Sequence, residues 1–251
     1  MADRFHGKVV AVTEGASGIG EATARRFVTE GAKGAGRPRG SLTRKGGQSL
    51  PADQVTVQTA DVSDSRAVDG MVAAVVRPFG RLDVIVNNAG VREDPASITE
   101  RNGGRSCRPT SMACFMAAAR RCPPRKDQGR ARQHGVGLWD RRRLGMSPYN
   151  AAKGVVVNLT RALALDLGKK GIRVNAVCPS LTGTGMTEDM MDDKKLLAKF
   201  AERISLGGVC EPQEVAAVIV FLASDDASFM TSANVAVDGG VSASNGQPPQ
   251  E

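Results

Sequence analysis

Lys8-Val9-Val10-Ala11-Val12-Thr13 is a short apolar, β-branched run, the pattern of a strand buried on both faces. It passes into Glu14-Gly15-Ala16-Ser17-Gly18-Ile19-Gly20, then into a helical pattern carried by Ala22, Ala24, Phe27 and Val28. That order constrains the chain more than any other feature. Glycines let backbone N–H groups approach an anion, and the start of a helix favours negative charge. A glycine turn alone says little; between a strand and a helix it predicts a nucleotide-phosphate site.

The remainder alternates in the same way. Val55-Thr56-Val57-Gln58-Thr59-Ala60-Asp61-Val62 reads as a strand ending at an Asp able to accept from an adenine amino group. A helix follows over Ser65 to Phe79, then a buried strand in Leu82-Asp83-Val84-Ile85-Val86-Asn87-Asn88-Ala89-Gly90. Further on come a long helix to about Lys170 and a strand over Arg173 to Cys178, followed by Pro179-Ser180-Leu181-Thr182-Gly183-Thr184. Residues 188–210 read as a helical lid, Pro212 to Ala223 as an amphipathic helix and Ala233 to Val237 as a last strand before Asp238-Gly239-Gly240. Such alternation implies an α/β fold: one doubly wound parallel sheet, right-handed crossovers, and helices on both faces. Ligands then belong at the carboxyl ends of the strands, where Thr13, Asp61 and Asn88 fall.

With 251 residues, one domain over 1–251 is expected. No apolar run approaches the roughly 20 residues that span a bilayer, and the polar N-terminus carries no signal-peptide pattern. Five Cys without close pairing point to a reduced, cytoplasmic setting. A net charge of +8 would ordinarily raise nucleic acid as a partner. The charge is local, however. Residues 34–50 hold four basic groups and no acids, and 101–145 hold twelve basic against two acidic, so the rest is net negative. Only Phe115 and Trp139 are aromatic there, so aromatic interleaving is absent, and neither nucleic acid nor membrane is expected as a partner.

In Ser147-Pro148-Tyr149-Asn150-Ala151-Ala152-Lys153, a Tyr and a Lys four apart share one helix face. An ammonium beside a phenol favours the phenolate. Such a Tyr can protonate a ketone oxygen, or take the proton of an alcohol in reverse.

Together these residues resemble the short-chain dehydrogenase/reductase family, whose fold is Rossmann-like. The glycine turn, Asp61-Val62, Asn87-Asn88-Ala89-Gly90, Tyr149-x-x-x-Lys153, Pro179 with Thr184, and Asp238-Gly239-Gly240 carry the likeness. The stretches Ala151 to Asp166, Val177 to Leu181 and Glu211 to Pro248 look most like bacterial 2,3-butanediol dehydrogenases. The resemblance implies an oxidoreductase moving hydride between NAD(H) and a small secondary alcohol or ketone, with NADP the lesser choice. By it Tyr149 is the acid/base, and Lys153 lowers its pKa and holds the nicotinamide ribose. Gly15, Ser17, Gly18 and Ile19 form the phosphate turn. Asp61 and Val62 border the adenine, Asn88 and Gly90 its ribose, and Pro179, Thr182 and Thr184 the nicotinamide. It also implies a homotetramer, with no metal.

Three departures stand out. Glu14 replaces the first glycine of the turn, where a carboxylate approaches the pyrophosphate. Val136 stands where the family has its catalytic Ser. The segment that should bring an Asn or Asp beside the Lys reads Ser106-Cys107-Arg108-Pro109-Thr110. Residues 34–49 and 101–145 show neither helical nor strand period. Read one base over, permitted codons for Cys107 through Pro123, Arg132 through Leu144 and Gly34 to Ser49 restore family-like sequence. Each restores it at its expected place, so compensated frameshifts in the written sequence are expected there, with no strand legible around 130–136 as written. Two alternatives remain: a reductase of another ketone (sugar, steroid or polyketide), or, if the letters hold, a catalytically dead Rossmann-like binding protein. Literal Arg37 and Arg39 would suit the 2′-phosphate of NADP; the restored Asp would select NAD.

Overall fold

The structure, a computed structural model, describes residues 3–33, 60–62, 64–90, 130–133 and 147–243; for 130–133 and 147–152 it describes the backbone path. Strand β1 (Val10–Val12) is buried throughout. It pairs in parallel with β2 (Val84–Asn87), Val10 opposite Val84 and Val12 opposite Val86. β2 pairs in parallel with β3 (Arg130–Gln133), Val84 opposite Arg130.

On the other side of β1, Lys33 bridges Val9 in parallel. The Lys33 N–H donates to the Lys8 carbonyl, and the Val10 N–H to that of Lys33. Helix α1 (Gly18–Thr29) therefore carries the chain to one side of β1, and α2 (Ser65–Phe79) leads into β2 on the other. The carboxyl end of β1 is thus a point where strand order reverses, the place in an open α/β sheet where a crevice forms. A second parallel pair, β4 (Ala176–Pro179) with β5 (Asn234–Val237), has Ala176 opposite Asn234, and β4 abuts β3.

Period-two alternation sends the strand residues to opposite faces. Val10 and Val12 pack with Ile19, Ala24 and Phe27 of α1 and with Val215, Ile219 and Leu222 of α6 (Pro212–Ala223). Val9, Ala11 and Ile85 face Val68, Met71, Val72 and Val75 of α2. The long helix α3 (Ser147–Gly168) buries Leu163 and Leu167 against Ile172 and Val174. Helices on both faces of a parallel sheet are what the alternation of elements predicts.

Several boundaries differ. Of the strand expected over 55–62, residues 55–59 lie outside the described residues, and 60–62 are not strand. The strand expected from Arg173 begins at Ala176 because the preceding residues pair through side chains. The Val174 N–H donates to Thr231 Oγ1, and the Asn175 carboxamide oxygen accepts from the Ala233 N–H. Arg173 itself is buried, its guanidinium donating to the carbonyls of Leu222, Ser224 and Met230. The carbonyls of Leu222 and Ser224 lie at the carboxyl end of α6, where the last carbonyls lack intrahelical donors and a cation is favoured. The expectation that no strand is legible around 130–136 is corrected: β3 forms at Arg130–Gln133. The open edge of β2 recruits backbone groups, and backbone pairing does not read side chains. The lid region resolves into α4 (Glu188–Asp192) and α5 (Lys194–Ala201), the second capped by Asp193, which accepts from the N–H groups of Lys195 and Leu196.

Candidate active site

At the carboxyl ends of β1 and β2 lies a cavity of about 260 Å³. Glu14, Ser17, Gly18 and Ile19 of the turn form one wall, and Asn88 and Gly90 after β2 form another. Lys153 of α3 closes it from a third side, with Thr184, Gly185 and Met186 of the loop after β4. A shallower groove of about 420 Å³ continues from it past Gly18 and Thr184 toward Glu21, Arg25 and Glu188.

The turn is shaped for close approach. A Cβ on Gly20 would lie 2.2 Å from the Glu14 carbonyl oxygen, so only glycine lets α1 start there. Gly18 has φ +50, and a Cβ on it would sit 3.0 Å from Thr184 Cγ2. Ser17 is the N-cap of α1 but makes no side-chain capping bond, leaving the first-turn N–H groups uncapped by it at the edge of the cavity. Thr13, buried beneath, fixes the facing loop: its hydroxyl accepts from the N–H groups of Asn88 (2.8 Å) and Ala89 (3.0 Å).

Two charged groups share the cavity lining. Lys153 is 7% exposed, and its charge acts on both Glu14 and the Cys178 thiol. Tyr149 lies one turn earlier on the same helix, its side chain outside the described residues. Glu14 has φ 55, a left-handed conformation that a side chain strains. Its carboxylate accepts from the Gly90 N–H at 3.4 Å. Burial raises the Glu14 pKa above the ordinary carboxylate range; the Gly90 N–H and the Lys153 charge oppose that and do not cancel it. Cys178, buried on β4, is pushed up to about 12 by burial, against the pull of Lys153, so it is no nucleophile at neutral pH.

The loop after β4 supports itself. Thr187 Oγ1 donates to the Thr182 carbonyl (2.7 Å) and accepts from the Thr184 N–H (3.0 Å). Thr182 is buried, its hydroxyl turned to the Ser180 carbonyl. Of the residues expected at the site, Ser17, Gly18, Ile19, Asn88, Gly90, Lys153 and Thr184 line the cavity. Gly15, Pro179 and Thr182 are buried and do not line it. Asp61 is exposed at the turn leading to α2, and Val62 packs on the α2 core, so neither lines it. Gly185 and Met186 line it without having been singled out; neither has side-chain chemistry that marks a site. Among the described residues no cluster of His, Cys, Asp or Glu could hold a metal ion, and no helix is long and apolar enough to cross a membrane.

A strand-end cradle with open helix N–H groups fits a dinucleotide phosphate; Glu14 is the one lining residue whose charge opposes it. Comparison with known proteins places the chain. A family model described as enoyl-(acyl carrier protein) reductase matches residues 15–242. Meso-2,3-butanediol dehydrogenase of Serratia marcescens is 43% identical over 254 residues, covering 98% of this chain and 98% of that protein. Levodione reductase of Leifsonia aquatica is 34% identical, over 96% of each. Among solved structures, a short-chain dehydrogenase/reductase from Brucella melitensis superposes with TM-score 0.83 at 27% identity, over 96% of this chain and 99% of that one. A blue fluorescent protein from a metagenomic library, in complex with NADPH, gives 0.81 at 30% identity, over 95% and 99%. Fold, cradle and likeness agree: the chain belongs to the short-chain dehydrogenase/reductase family and is an NAD(P)-dependent oxidoreductase.

Proposed function

We propose that the protein interconverts a small secondary alcohol or vicinal diol and its ketone, 2,3-butanediol and acetoin being the best match, with NAD(H) preferred to NADP(H). The observation that carries this is the buried Lys153 in the strand-end cavity, on the helix that also bears Tyr149. The 43% identity to a meso-2,3-butanediol dehydrogenase supports the substrate. Relatives that act on levodione or on acyl-carrier-protein thioesters make other ketones the alternative.

The nicotinamide cofactor supplies or accepts the hydride. The chain does the rest. The Gly15–Ile19 turn and the α1 N-terminus hold the phosphates, and Asn88 and Gly90 border the adenosine ribose. Asp61 and Val62 flank the adenine. Pro179, Thr182 and Thr184 shape the nicotinamide end. Tyr149 gives its phenolic proton to the ketone oxygen, or takes one from the alcohol, and the Lys153 ammonium favours the phenolate. Tyr149→Phe is expected to remove acetoin reduction almost wholly while NADH binding, followed by nicotinamide fluorescence, stays near normal. A variant keeping a tenth or more of the parent kcat overturns the assignment.

Assembly as a homotetramer belongs to the same reading. Val155 and Leu165 on α3, and Phe221 and Phe229 around the end of α6, are exposed apolar side chains on two surfaces. Free Cys178 and Cys210 are in keeping with a cytoplasmic setting.

A single domain over 1–251 is proposed with compensated frameshifts in 34–49 and 101–145, which returns a Ser to the place of Val136. The second reading, a binding protein without activity, is favoured by Glu14 in the cavity. Peptide mapping separates them. Cleavage on both sides of Arg141, Arg142 and Arg143 would establish the written residues and favour the binding protein.

A further inference from the structure

Glu14 is the feature the proposed reaction does not use. It sits at the mouth of the cleft, joins the glycine turn to the loop after β2 through the Gly90 N–H, and lines the cavity with Lys153. Both partners of that bond border the route a dinucleotide would take. The carboxylate thus places a negative charge in the cavity that the α1 N-terminus borders, where a phosphate would be favoured. It is held there at φ 55, a backbone conformation in which a glycine would be unstrained.

We infer that Glu14 is a resident anion competing with the cofactor phosphates, so that dinucleotide binding requires it to be protonated or displaced and is coupled to proton uptake. The inference rests on the dinucleotide reading of the cavity. Few charged groups surround Glu14. Lys153 comes from α3. The loop after β2 offers Asn88 and Gly90, and the loop after β4 offers Thr184, Gly185 and Met186, none of them charged. From α1 the nearest ionisable groups are Glu21 and Arg25 in the adjoining groove; they bond to each other, and Glu188 lies across from them. Lys153 is therefore the one cation lining the cavity with Glu14 among the described residues, and it does not bring the Glu14 pKa down to the ordinary value.

The sign follows. A diphosphate diester keeps its charge between pH 5.5 and 8.5. Glu14, raised by burial, holds its proton to higher pH than an ordinary carboxyl, and an incoming phosphate raises it further. Binding is then tighter at low pH and weakens as pH rises through the Glu14 pKa, with a proton taken up above it.

The test is calorimetry with ADP-ribose, which carries the pyrophosphate without the nicotinamide and so is less sensitive to the catalytic pair. Wild type, Glu14→Gln and Glu14→Gly are titrated from pH 5.5 to 8.5 in buffers of different ionisation enthalpy. At pH 8.5 both variants should bind about tenfold more tightly than wild type. The difference should shrink toward pH 5.5, with proton uptake confined to wild type. Adenosine, which lacks phosphate, should bind all three alike. Equal, pH-independent ADP-ribose affinities, or weaker binding by Glu14→Gln, overturn the inference and leave the dinucleotide reading standing. Failure of all three proteins to bind ADP-ribose removes that reading, and the inference with it. Glu14→Gln keeps the side-chain volume, so a folding defect confined to Glu14→Gly leaves the test intact.

Discussion

The turn after β1 and the loop after β4 meet at Gly18 and Thr184 and border one cavity, yet they are built oppositely. The loop closes its polar groups on itself: Thr187 caps Thr184 and Thr182, and Thr182 turns to Ser180. The turn leaves its helix N–H groups open and carries a charged side chain in a strained conformation. A self-satisfied wall holds its shape without a ligand. An unsatisfied one gains from binding an anion, and Glu14 sets its own negative charge beside it.

Substitution can break this contrast, because the two sides should respond with opposite sign. Thr187→Val removes the bonds that its hydroxyl makes to Thr182 and Thr184 and should lower stability by about 1–2 kcal/mol in urea unfolding. No change would mean that the loop is held from elsewhere. Glu14→Gly should instead raise stability by about 1 kcal/mol at pH 7, since it relieves the left-handed strain and removes a partly buried carboxylate. Because the folded-state pKa of Glu14 is raised, its ionised form costs stability at neutral pH. That cost fades as pH falls through the folded pKa, so the stability gain of the variant should narrow at acid pH to the strain component alone. A destabilised Glu14→Gly would show that the Gly90 bond holds the turn together.

The sheet and its helices were legible because each leaves a period. α2 and α6 fall where their apolar spacing places them, at Ser65–Phe79 and Pro212–Ala223, and the alternation of Val9 to Val12 sorts them onto two faces. The glycine turn, Asn88, Lys153 and Thr184 were legible as site because strand ends in a doubly wound sheet converge. Less was legible where pairing ignores side chains, as in β3, or runs through them, as in Val174 and Asn175 before β4. Met186 and Gly185 gave no signal because they contribute surface rather than chemistry. Glu14 was visible as a break in pattern; its bond to Gly90 needed coordinates, since the two lie 76 residues apart.

The far end of α1 has a practical consequence. Glu30 is buried, and burial alone would raise its pKa; the guanidinium groups of Arg4 and Arg26 reverse that and hold it below the usual range. Arg4 reaches on to Asp226, so a residue close to the amino terminus fastens the end of α1 to the segment after α6. Trimming the first four residues would strip a buried carboxylate of a partner rather than remove slack chain. An affinity tag is better fused ahead of an intact Arg4, with a spacer, than substituted for the opening residues.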